Sequence, residues 1–212
     1  MVIKNQIILE TIDTFRPLRK LVDDSTFSIF PSPPCVILDK ETYKLKHFLL
    51  IKNPIDFYWD LYSGMYKSNI TPNVSSPEHI IMSPRISFSE FIYRCLNLRE
   101  FFSVYFTKEF TKNIIDNPKE SNMRHVAGDL REFKFADQSL YEFYIDLYSR
   151  KDTKLIRYET DDILILEKLL DQKLDFDSVG TNLFDLTPTK VEVELFNELY
   201  SNIQQKYNYD NL

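Results

Sequence analysis

The sequence has 212 residues, of which 43% are hydrophobic and 27% charged, so it can bury a core without disulfides. Its three glycines form no G-x-G-x-x-G or G-x-x-x-x-G-K motif, which argues against a Rossmann or P-loop nucleotide enzyme. A formal net charge of −6 disfavours binding of nucleic acid by the whole chain and permits a basic protein partner.

Cysteine content and hydropathy indicate the cellular compartment in which the protein is expected. Cys35 and Cys95 are too few for a disulfide framework or a zinc quartet, and reduced thiols are typical of the cytoplasm. Asn5, Gln6 and Glu10 interrupt the first apolar stretch, so no signal peptide is predicted. No apolar run approaches the roughly 20 residues that span a bilayer. We therefore expect a soluble, cytoplasmic protein without membrane association.

Two apolar segments in the first quarter of the chain predict a β-hairpin. Residues 36–38 and 43–51 are rich in side chains that favour strands, and the polar residues between them suit a turn. Residues 7–9, 80–82 and 155–158 are further short strand candidates. We expect a predominantly helical α+β fold with a small antiparallel sheet.

The string FYWDLYS at residues 57–63 returns as FYIDLYS at residues 143–149. Asn53 as N-cap and Pro54 at the first helical position predict a helix start before the first copy, and Asp137 is the candidate cap before the second. Apolar residues recur in both copies at helical spacing. Neighbouring segments do not repeat at the same offset, so two similar amphipathic helices are favoured over a duplication, which stays open.

Carboxylates follow the same spacing in both copies. Asp56 and Asp60 are four residues apart on the predicted polar face of the first helix, as are Glu142 and Asp146 on the second. Two acidic helices are typical of di-metal bundles, but those sites place a histidine three residues after glutamate, and position 145 is isoleucine. We predict solvated acidic faces, no metal and no cofactor.

The second half of the chain contains a polar segment and a strongly patterned last helix. We treat residues 1–212 as one globular domain and place the joint between any substructures near residues 117–137. A final helix is expected after Pro188, and the last residues, 207–212, are expected to fray. One face of that helix carries five apolar side chains: Val191, Leu195, Phe196, Leu199 and Ile203.

Aromatic residues are concentrated on the first of the two helices, which suggests either a binding surface or a core. Tyrosine and tryptophan bury area while they keep a polar tip, and both are enriched at binding hot spots. Large cores use aromatics as well, so both interpretations stay open. The candidate binding residues are Tyr58, Trp59, Tyr62 and Tyr66.

The weak catalytic candidates lie in one polar segment. His125 could act as a general base beside Asp129, and Arg124 and Arg131 could bind a phosphate or carboxylate. An ordinary exposed connection contains the same mixture of residues. The sequence therefore leans away from an enzyme, and an enzyme for a phosphorylated or nucleotide-like substrate is the alternative.

Together these features favour a non-enzymatic protein-interaction module, such as an adaptor, an inhibitor or an immunity-type protein. Glycine, histidine and cysteine are scarce, catalytic motifs are missing, and an acidic composition accompanies tyrosine-rich helices. We expect the partner to be another protein that binds the aromatic-rich helices. A structural subunit of a homo-oligomer is the third hypothesis.

Overall fold

The computed structural model describes residues 7–12, 46–67, 81–82, 85–105, 137–149, 152–157, 159–160, 162–170, 173 and 187–209. These residues form three strands, β1 (Ile7–Thr11), β2 (Lys46–Ile51) and β3 (Lys154–Arg157). They also form six helices, α1 (Pro54–Lys67), α2 (Phe88–Arg94), α3 (Leu98–Tyr105), α4 (Leu140–Tyr148), α5 (Asp162–Leu170) and α6 (Lys190–Lys206). The expectation of a predominantly helical fold with a small sheet is confirmed.

The sheet is parallel, so the predicted antiparallel arrangement is wrong. The strand order is β1-β2-β3, with Leu49 of β2 paired to Glu10 on one side and to Leu155 on the other. The partners of β2 therefore come from distant parts of the sequence, as the crossover connections of parallel strands require. Every residue of β2 after Lys46 is buried, a pattern typical of a strand covered on both faces.

The individual strand predictions have mixed outcomes. The strand predicted at residues 7–9 is confirmed by β1, and the one at residues 155–158 is confirmed by β3. The predicted strand at residues 80–82 is wrong, because Ile81 has a helical backbone and is buried. A short buried apolar run has the same composition in either conformation. Residues 36–38, the first half of the expected hairpin, lie outside the described residues.

The chain divides into two compact units, and each is described by itself. The first comprises Met1–Asp60 and Tyr144–Asp185, and the second comprises Leu61–Phe143 and Leu186–Leu212. Both divisions fall inside a copy of the recurring string, in α1 and in α4. The segment 117–137 belongs to the second unit, and its residues 117–136 lie outside the described part. The description of the chain as one domain stays a prediction.

The first unit is built around the sheet. The β1 strand continues into Ile12, whose N–H donates to the Leu50 carbonyl at 3.2 Å. The α5 helix packs against β3. The buried apolar side chains described in this unit are Ile12, Phe48, Leu49, Leu50, Ile51, Phe57, Tyr58, Tyr144, Ile145, Ile156 and Leu166.

The second unit has an aromatic core in which α2 packs against α6. The Tyr200 hydroxyl donates to the Ile92 carbonyl at 2.6 Å, and the ring of Phe196 stacks on that of Tyr200 with centroids 4.5 Å apart. The buried apolar side chains described here are Leu61, Met65, Ile81, Met82, Phe88, Phe91, Ile92, Cys95, Leu98, Phe102, Leu140, Tyr141, Phe143, Phe196, Tyr200, Ile203 and Tyr209.

The α4 helix begins with a capping box and not with the predicted cap, Asp137. Ser139 Oγ accepts from the Glu142 N–H at 3.2 Å, and Glu142 Oε2 accepts from the Ser139 N–H at 3.0 Å. Asp137 instead accepts from Arg99 at 2.9 Å. Lys206 of α6 donates to Glu142 Oε1 at 2.6 Å. Burial raises the pKa of Glu142, but the hydrogen bonds from Lys206 and Ser139 outweigh it, so this pKa lies below its ordinary value of 4.5.

The predicted last helix is present as α6, and both of its ends are defined by hydrogen bonds. Thr189 and Glu192 form a capping box at its start. At its end Asn208 has a left-handed φ of 58°, and the Tyr209 N–H donates to the Gln204 carbonyl at 2.7 Å. This is the Schellman arrangement, in which asparagine can replace glycine. The expected fraying is therefore wrong for residues 207–209, where Tyr209 is buried.

Only part of the predicted apolar face of α6 is buried. Phe196 and Ile203 are buried as expected, together with Tyr200. Val191, the first residue of the predicted apolar face, is 72% exposed. Val191 lies in the first turn, where α6 begins, and the buried positions start one turn later.

Candidate functional site

The first candidate region is the carboxyl end of β2, where α1 begins. Asn53 caps this helix: its Oδ1 accepts from the Ile55 N–H at 3.3 Å, and its carbonyl accepts from the Phe57 N–H at 3.0 Å. Pro54 occupies the first helical position, which needs no N–H donor. The predicted start of α1 is confirmed.

A buried ion pair joins the end of β2 to α1. The Lys52 ammonium donates to Asp60 Oδ2, and the two side chains are only 3% and 7% exposed. Asp60 was expected on a solvated face, and that expectation is wrong because its carboxylate lies beside a buried cation. Ser63, one turn later, is buried as well. A lysine directly after a continuous apolar strand, followed by an acid on the next helix, was the available sequence signal.

Further polar contacts connect β2 and β3 at both of their ends. At the amino ends, His47 Nδ1 lies 2.6 Å from Thr153 Oγ1, just before β3. After β3, Glu159 Oε1 accepts from the Asn53 N–H at 2.9 Å. A helix N-terminus is favourable for a carboxylate because its N–H groups and dipole attract negative charge. A carboxylate of the chain itself therefore lies at the start of α1.

The start of α5 is held by an arginine of β3. Arg157 Nε donates to Asp162 Oδ2 at 2.7 Å, and Thr160 Oγ1 accepts from the Asp162 N–H at 3.3 Å. The hydrogen bond from the Arg157 guanidinium holds the pKa of Asp162 below its ordinary value of 3.8, against a smaller opposing effect of burial. Asp162 is thus a carboxylate at neutral pH.

These contacts satisfy charged groups within the chain and fasten the sheet to α1 and α5. In the described ranges, no three histidine, cysteine, aspartate or glutamate side chains form a group that could hold a metal ion. We conclude that the carboxyl edge of the sheet, as far as it is described, has the contacts expected of a structural junction.

The aromatic residues proposed for binding occupy different environments on α1. Tyr58 is fully buried. Tyr62 packs against Phe88 and Phe91, with ring centroids 5.3 and 5.8 Å away, and its hydroxyl donates to the Ile86 carbonyl at 3.1 Å. Trp59 is half-buried. The structure describes the backbone of Tyr66 in α1 but not its side chain.

The two copies of the recurring string touch through their aromatic positions. The rings of Phe57 and Tyr144 meet edge to face with centroids 5.8 Å apart, and Tyr144 also stacks on Tyr148. The matching acids differ, because Asp60 is buried and Asp146 is exposed. Aromatic residues at matching positions of the two copies are therefore buried to a similar extent, whereas the matching acids lie in different environments.

The second candidate region is the outward side of α5. Leu164 and Ile165 are 53% and 50% exposed, whereas Leu166 is fully buried on the opposite side. Leu155 on β3, against which α5 packs, is 36% exposed. The sequence signal was the continuous apolar run at residues 163–166, because a helix that packs on one side cannot bury four consecutive residues.

The weak catalytic candidates cannot be placed. His125, Asp129, Arg124 and Arg131 all lie outside the described residues. Their role in an enzyme for a phosphorylated or nucleotide-like substrate stays a prediction.

Comparison of the chain with protein-family models, with curated proteins and with solved structures found no match. In the part of the chain that the structure describes, no helix has the length and apolar character needed to cross a membrane.

Proposed function

We propose that this chain is a soluble, cytoplasmic, non-enzymatic protein-interaction module of the adaptor, inhibitor or immunity type. The observation that carries the proposal is the exposed apolar pair Leu164 and Ile165 on α5. Single exposed apolar side chains are common on protein surfaces, but two adjacent ones on a nine-residue helix form a patch that water solvates poorly. Binding of another protein would remove this patch from water.

The aromatic helix α1 has fewer side chains available to contact a partner than its sequence suggests. Tyr58 and Tyr62 contribute their rings to packing within the chain, so they are poor first choices for a contact residue. Trp59 is half-buried and keeps part of its indole accessible. We therefore propose α5 as the main contact and Trp59 as the residue through which α1 would take part.

The test is affinity capture from native lysate, read by mass spectrometry, with three variants whose folding is first checked by circular dichroism. The variant Leu164→Glu/Ile165→Glu places charges on the outward side of α5. Val191→Glu is the control, because Val191 is an apolar residue on another helix that is even more exposed than Leu164 and Ile165. Trp59→Ala tests the aromatic helix.

A single stoichiometric partner that is lost in the α5 variant and kept in the Val191→Glu control is the expected result. Loss in Trp59→Ala alone would move the interface to α1. Equal recovery of partners by all variants would contradict the assignment of the surface, and no partner from a folded protein would contradict the function.

A further inference from the structure

We draw no further inference here: the strongest candidate, the exposed apolar patch of Leu164 and Ile165 on the outward side of α5, is the surface already proposed above, and nothing in the described part of the chain shows what covers it.

Discussion

Replacing Lys52 by methionine is expected to lower the free energy of unfolding by about 3–5 kcal/mol, because it removes the buried cation beside the Asp60 carboxylate. Both side chains are at least nine-tenths buried, so water cannot replace the lost charge. A typical domain is stable by only about 5–15 kcal/mol, which makes this loss a large share of the total. The double variant Lys52→Met/Asp60→Leu removes both charges and should recover most of the loss.

The assay is urea unfolding at neutral pH, followed by circular dichroism, on the wild type, both single variants and the double variant. Lys190→Met is the control, because Lys190 pairs with Glu194 at 3.6 Å on the surface, with the side chains 89% and 65% exposed. That control should change stability by less than about 0.5 kcal/mol. A loss of less than about 1 kcal/mol in Lys52→Met would refute the claim that Lys52 and Asp60 form an ion pair shielded from water. So would a double variant whose loss of stability equals the sum of the two single losses.

Three further predictions concern the second unit. Tyr200→Phe should lower the free energy of unfolding by about 1 kcal/mol in the same assay, because it deletes a buried hydroxyl that donates at 2.6 Å. Ser139→Ala should cost about 1 kcal/mol as the loss of a helix cap, whereas Asp137→Ala should cost clearly less; the reverse order would restore the original cap assignment. Because the folded-state pKa of Glu142 is lowered, its stabilisation is present above pH 4.5 and is lost as the pH falls through the folded value. Thermal unfolding between pH 3 and pH 6 should therefore be less dependent on pH in Glu142→Gln than in wild type, and identical profiles would contradict this.

Local patterns predicted the helices well because caps and apolar spacing act within one or two turns. Asn53 and Pro54 define the start of α1, and the apolar stripe of α6 recurs at helical spacing. Ser139 and Asp137 are both good cap residues, so composition alone could not choose between them. In the structure Ser139 caps the helix, and Asp137 accepts instead from Arg99, which comes from a distant part of the sequence.

The pairing of strands could not be predicted because it depends on partners far apart in the chain. The hairpin hypothesis relied on adjacency, yet β2 pairs with β1 and with β3, which follows about a hundred residues later. The prediction for Asp60 was wrong for a similar reason. Its position on the polar face of the helix suggested exposure to solvent, but its carboxylate pairs with Lys52, which directly follows β2. For the site, the four consecutive apolar residues 163–166 do not indicate which side of α5 faces outward.

The central claim is that α5 is the contact surface of an interaction module. The most direct measurement is hydrogen–deuterium exchange of the chain alone and in complex with the captured partner. The account predicts slower exchange on binding at residues 162–170 and 154–157, with little change in α6. Protection confined to α1, or no protection of α5 in a complex of known stoichiometry, would contradict it.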